Sequence, residues 1–190
     1  HLGNGASMAA VNEDGHCIDT SMGFGPGDGL IMGTRAGNID STVIFFLGEK
    51  GLSTQEISKI VNSESGMKGL IGSPDARDLE TLVNQNDPKG KLCLDMYAYR
   101  IKKFIGAYVM ALGGLDSLIF TAGVGENSAM IREAVCEGLE YFGIKLDKEK
   151  NVKLNHPSDI VEIEAADSRV KIVVVATNEE IQIARDVLSL

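Results

Sequence analysis

Two apolar runs, each leading through a turn into a helical stretch, restrict this chain to an α/β architecture. Ser117-Leu118-Ile119-Phe120-Thr121 is short, apolar and bounded by turns, as a buried strand is. Gly123-Val124-Gly125-Glu126-Asn127 follows it, and then Ile131, Val135, Leu139 and Phe142 recur at helical spacing. Val170 to Ala176 reads as a second buried strand and Thr177 to Leu188 as a last helix. A strand–turn–helix unit used twice predicts a mixed sheet flanked by helices. Such sheets take ligands beyond the C-terminal ends of their strands.

The first third of the chain is organised by glycine. His1-Leu2-Gly3-Asn4-Gly5 reads as a turn between two strands; it either brings backbone N–H groups to a phosphate or simply turns tightly. Met8 to Val11 and His16 to Asp19, joined through Asp14-Gly15, predict a β-hairpin. Ser21 to Gly37 carries too many glycines for a regular element and predicts a shaped loop. A glycine-rich turn this early, with no initiator Met before it, is expected for the back half of a longer protein.

Helices occupy the middle. Ser53-Thr54-Gln55-Glu56 is a capping box ahead of Ile57, Ile60 and Val61. Ser73-Pro74 predicts a cap followed by Pro at the first helical position, with Leu79, Leu82 and Val83 behind it. The longest helix is expected from Lys91 to Leu112, where Leu94, Tyr97, Ile101, Ile105, Tyr108 and Leu112 form one face. Gly113-Gly114 ends it. Residues 145–169 are charged and irregular and are expected to form a surface excursion.

Composition narrows the partners. The formal net charge of −9, without a basic block, argues against nucleic acid or an anionic membrane surface. Bound phosphate must be held by local groups. Cys17, Cys93 and Cys136 are far apart and form no CxxC pair, so neither zinc nor a disulfide framework is indicated and a reducing, cytoplasmic compartment is expected. No run reaches the length of a membrane span. His1, His16 and His156 show no metal or triad spacing.

Several residues are chemically conspicuous. Arg35 lies in a glycine-rich loop, and a planar guanidinium suits phosphoryl groups. Arg77 opposes the helix dipole in its expected first turn, which calls for an external anion, a carboxylate partner or a solvated surface pair, whereas Asp75 suits the positive helix end. If Thr177 caps the last helix, Glu180 completes a capping box and Glu179 is left either to bind Mg²⁺ or to sit at the surface.

The order of these segments is more specific than any one of them. His1-Leu2-Gly3-Asn4-Gly5, Asp19-Thr20-Ser21-Met22-Gly23-Phe24, Gly33-Thr34-Arg35, Asp75-Ala76-Arg77, Thr121 to Asn127 and Thr177-Asn178-Glu179-Glu180 together closely resemble the C-terminal half of the acetate kinase family. The resemblance runs nearly end to end. It implies a ribonuclease-H-like domain of the acetate and sugar kinase, Hsp70 and actin superfamily, spanning residues 1–190. It implies reversible transfer of a phosphoryl group between ATP and acetate, with Mg²⁺ or Mn²⁺, by a homodimer. The long helix and Ile44-Phe45-Phe46-Leu47 are the segments expected to contribute to dimerisation. By motif, His1, Leu2, Gly3, Asn4 and Gly5 would line the phosphate side of a nucleotide site. Asp75, Ala76, Arg77, Gly123, Val124, Gly125, Glu126 and Asn127 would hold the adenosine end. Arg35 would stabilise the transition state and Glu179 would bind the metal.

The sequence departs from the family's usual Gly-Phe-Thr-Pro-Leu-Glu-Gly at Gly23-Phe24-Gly25-Pro26-Gly27-Asp28-Gly29, and the added glycines are expected to loosen the loop before Arg35. The family's acyl pocket lies mostly in its other half. The resemblance therefore leaves propionate or butyrate kinase open, and this portion alone is expected to bind nucleotide without turnover. Pyrophosphate as the phosphoryl donor is a further alternative. A nucleotide-switched module of the actin or Hsp70 type is the alternative outside enzymes.

Overall fold

A computed structural model describes residues 1–154, 157 and 159–189, so His156 lies outside the described residues. Its centre is a three-stranded mixed sheet in the order β3–β5–β4, formed by β3 (Ser117–Phe120), β4 (Ile160–Glu162) and β5 (Lys171–Val175). β3 and β5 are parallel, with Leu118 beside Ile172 and Phe120 beside Val174. β4 is antiparallel to β5, with Val161 beside Val174. The hairpin also forms: β1 (Ala9–Val11) pairs antiparallel with β2 (Cys17–Thr20). Residues 21–41 contain no helix or strand, as the glycine content predicted.

The helices follow their caps. In α1 (Thr42–Glu49) Phe45 and Phe46 are exposed. In α2 (Thr54–Ser63) both bonds of the Ser53/Glu56 capping box are present. α3 (Gly66–Ile71) is one short segment. α4 (Ala76–Asn84) starts two residues later than Ser73-Pro74 suggested. Its cap is Asp75, and Ser73 Oγ donates instead to Asp78. α5 (Pro88–Leu112) starts three residues earlier than the apolar periodicity indicated. Asp87 accepts from the Lys89 and Gly90 N–H groups and Pro88 takes the first helical position, an N-terminus that pattern alone does not show. Gly113, left-handed at φ 73°, closes it.

Tyr97, Ile101 and Ile105 on α5 lie in the core, as their spacing required, and Tyr108 on the same face is buried too. Leu30, Met32, Leu79, Ile131, Val135, Ile172 and Val174 complete it. Each such side chain contributes about 1.5–3 kcal/mol by leaving water. α4 and α5 approach closely at Gly90, where an added Cβ would sit 2.7 Å from Leu82 Cβ.

Four local expectations differ from the structure. The Gly123 to Asn127 segment is not an open turn. It forms its own short helix, α6 (Ala122–Asn127), before Ser128 caps α7 (Ala129–Cys136). The helical pattern extended to Phe142, but α7 stops at Cys136, and a 3-10 turn at Glu140–Phe142 follows. Residues 145–169 were expected at the surface, yet they supply α8 (Lys148–Lys153) and the edge strand β4. They also bury Asn151 and Ile163 completely. Finally, α9 (Glu179–Leu188) is capped by Asn178, whose Oδ1 accepts from Ile181 N at 3.1 Å; no capping box joins Thr177 to Glu180.

Candidate functional site

The two parallel strands end side by side, and the first residues of the chain are stitched to one of those ends. Leu2 N–H donates to Thr121 O at 3.0 Å, and Leu2 O accepts from Val124 and Gly125 N–H at 2.8 and 3.0 Å. Gly33 N–H donates to Asn4 O, and Lys68 N–H to Gly33 O. These backbone bonds join residues 1–7, 32–35 and 121–125 without spending their side chains. Gly33 is required there: a Cβ would lie 2.2 Å from Asn4 Oδ1 and 3.0 Å from Pro74 O. Ala122 adopts φ 66°, unusual for a residue with a Cβ, which lets α6 begin as soon as β3 ends.

A cleft of about 390 Å³ opens where these segments meet α4. Gly3 and Asn4 line one part of it, Asp75, Ala76 and Arg77 another, and Gly123, Val124 and Asn127 a third. Three segments predicted separately from sequence therefore share one wall. The remaining members of those segments do other work. Leu2 and Gly5 do not face the cleft; Leu2 is in the core, and Gly5 lies under Arg35. Gly125 is buried on the inner side of α6 and Glu126 turns away.

Arg35 sits against the N-terminal turn. A Cβ on Gly5 would be 3.3 Å from Arg35 Nη1, a tight contact that the guanidinium would relieve by moving a few tenths of an ångström. Nη1 donates to Pro26 O at 3.2 Å. The glycine-rich loop expected to be loose is tied here and again by Arg100, whose Nη1 donates to Gly29 O and Asn38 O at 2.9 and 3.0 Å.

Of the partners open to Arg77, the structure selects Asp75. Arg77 Nε lies 3.0 and 3.1 Å from the two carboxylate oxygens and Nη2 is 2.5 Å from Oδ2. The fork, with the Arg77 backbone N–H at 2.9 Å, holds the Asp75 carboxyl down at about 2. The pair is thus a neutralised, planar surface bordering the cleft. Arg77 itself is mostly exposed.

Glu179 stands at the start of α9 with its carboxylate 3.8 Å from His1 Nδ1, which also contacts Thr121 Oγ1 at 3.3 Å. Among the described residues no group of three or more His, Cys, Asp or Glu is clustered to hold a metal. One exposed carboxylate suits Mg²⁺, which keeps waters and shares its remaining positions with phosphate oxygens.

A profile of the acetokinase family matches residues 1–185. The chain belongs to that family. It is 53% identical over 192 residues to an acetate kinase of Bacteroides fragilis, an alignment covering 100% of this chain and 47% of that protein. The crystal structure of Porphyromonas gingivalis acetate kinase superposes with a TM-score of 0.92 at 42% identity, over 100% of this chain and 47% of that one. A propionate kinase from Francisella tularensis superposes with a TM-score of 0.90 at 40% identity, over 97% of this chain and 47% of that one. The chain thus spans just under half the length of the relatives it matches.

Beyond the residues foreseen, this acetokinase chain places a buried cation under α6. Arg132 is fully buried, yet each of its nitrogens is satisfied by oxygen. Nη1 donates to Gly125 O and Glu126 O at 2.9 and 2.8 Å, while Nε and Nη2 donate to Asn151. Desolvation pushes its pKa down to about 10, so it stays charged at neutral pH. It holds the last carbonyls of α6, the negative end of that helix. Deeper in the cleft, buried Ser128 donates to Glu80, and both line the wall. The sequence reading named none of the three; Ser128 carries the local signal of a cap residue, whereas Arg132 and Asn151 carry none. Cys17, Cys93 and Cys136 are free thiols, and burial pushes Cys136 up to about 12. Among the described residues no helix is long and apolar enough to cross a membrane.

Proposed function

We propose that this chain is the C-terminal, nucleotide-binding half of a cytoplasmic kinase that moves a phosphoryl group reversibly between ATP and the carboxylate of acetate. The observation that supports this most is the convergence of Gly3–Asn4, Asp75–Arg77 and Gly123–Asn127 on one cleft, with Arg35 beside Gly5 at its edge. The turn at Gly3 and Asn4 faces phosphate oxygens, and the Asp75–Arg77 plane and α6 enclose the nucleoside. Arg35 donates to the oxygens of the phosphoryl group as charge develops there, an effect that reaches roughly 10³–10⁵ in rate for Arg in phosphoryl transfer. Mg²⁺ or Mn²⁺, held partly by Glu179, neutralises phosphate charge when bound.

The acetate pocket and the second set of catalytic groups belong to the other half of the intact protein. Phosphoryl transfer needs groups positioned on both sides of the reacting phosphorus. Residues 1–190 alone therefore bind ADP and do not turn over. Calorimetry with ADP, together with an acetyl phosphate assay on this chain and on the intact kinase, tests both statements. Turnover by the chain alone, or no ADP binding by either, overturns the reading.

Propionate is the second acyl substrate to test, because the propionate kinase of Francisella tularensis shares this half at nearly the same similarity as the acetate kinase. Comparison of kcat/KM for acetate and propionate in the intact enzyme decides between them. The kinase acts as a homodimer with no nucleic-acid or membrane partner, and the exposed Phe45 and Phe46 of α1 form part of the subunit contact.

A further inference from the structure

The geometry points to Glu126 as a positioning residue that sets the metal-binding carboxylate Glu179 relative to the nucleotide wall. This rests on the nucleotide and metal reading above. Glu126 is held at both ends. Its carbonyl accepts from the buried guanidinium of Arg132 at 2.8 Å, which anchors it to the base of α6. Its carboxylate reaches across 51 residues, and Oε1 accepts from both Thr177 N and Thr177 Oγ1 at 3.0 Å. It does not line the cleft, although it sits within the segment that does.

The far side of this clamp needs it. α9 buries no residue among those described, and Ile181, Ile183, Val187 and Leu188 are exposed. Core packing does not orient the helix that carries Glu179. Its approach is set by the end of β5, by the two bonds Thr177 makes to Glu126 two residues before Glu179, and by the contact of Glu179 with His1. A hydrogen-bonded path thus runs from Arg132 through Glu126 to Thr177, two residues before Glu179. Outer groups that orient a metal's carboxylate typically change metal affinity by about 10–100-fold when removed.

The test is Mn²⁺ binding, read by electron paramagnetic resonance, to the intact kinase saturated with ADP. Glu126→Gln and Thr177→Val are expected to weaken Mn²⁺ about tenfold while metal-free ADP affinity changes less than about threefold. Thr177→Ser, which keeps the hydroxyl and the N–H, is expected to retain wild-type Mn²⁺ affinity. Glu126→Gln combined with Thr177→Val should cost no more than either alone. Equal loss of ADP and Mn²⁺ binding, or Mn²⁺ affinity unmoved in both single variants, overturns the positioning role. Wild-type protein that binds neither ADP nor Mn²⁺ overturns the nucleotide reading itself.

Discussion

Arg132 and Asn151, 19 residues apart, hold each other by two hydrogen bonds inside the core: Nε to Oδ1 at 2.7 Å and Nη2 to the Asn151 carbonyl at 3.1 Å. Asn151 Nδ2 donates in turn to Ala129 O at 2.8 Å. The amide thus joins α8 to α7 and keeps a buried cation satisfied by carbonyl oxygens alone among the described residues. Asn151→Ala strands the Nε donor of a charged group and opens a cavity. It should cost about 3 kcal/mol, well above an ordinary substitution. Urea unfolding of the intact protein measures it, and a loss below about 1 kcal/mol would show that water replaces the amide.

Arg35→Ala should lower turnover about a thousandfold with little change in ADP affinity. Its guanidinium touches the Gly5 position and the Pro26 carbonyl, not the wall made by Asp75–Arg77 and α6. Steady-state kinetics and ADP calorimetry separate the two effects. Unchanged turnover removes Arg35 from the mechanism.

Asp75 predicts an acid-limb effect. Its folded-state pKa, about 2, lies below the unfolded value near 3.9. The contribution is therefore present above pH 4 and lost as pH falls from about 4 to about 2. The carboxylate is partly exposed and solvent screens the fork, so the amount is at most about 1 kcal/mol. The stability difference between wild type and Asp75→Asn should shrink across that window; a constant difference assigns the effect to the cap bond, not the ion pair.

Much of this arrangement was legible because local rules govern it. The apolar stripe from Tyr97 to Tyr108 marked α5, Ser53 and Glu56 marked the start of α2, and glycine content marked the loop from Ser21. What escaped depends on distant partners. β4 is three residues long in charged surroundings and exists because β5 offers it an edge. Arg132 reads as a surface arginine until α6, α7 and α8 close over it. Thr177 looked like a cap because nothing near it in sequence announces Glu126, which takes its hydroxyl instead. Site residues were legible as segments, whereas which members face the cleft depended on how residues 1–7 lie against α6.

The displaced cap of α9 gives the last prediction. Asn178 Oδ1 accepts from Ile181 N, so Asn178→Ala should destabilise α9 by about 1 kcal/mol, a typical cap loss. Glu180 makes no reciprocal bond to a cap residue, and Glu180→Ala should leave stability within about 0.5 kcal/mol. Glu179→Ala should instead raise the Mg²⁺ concentration needed for half-maximal activity, with stability nearly unchanged, because its carboxylate is largely exposed to solvent beside His1. Amide exchange across residues 179–188 reads the cap, and a Mg²⁺ titration of activity reads the metal ligand. If Glu180→Ala loosens α9 as much as Asn178→Ala, the cap belongs one residue earlier, and Glu179 and Glu180 exchange faces.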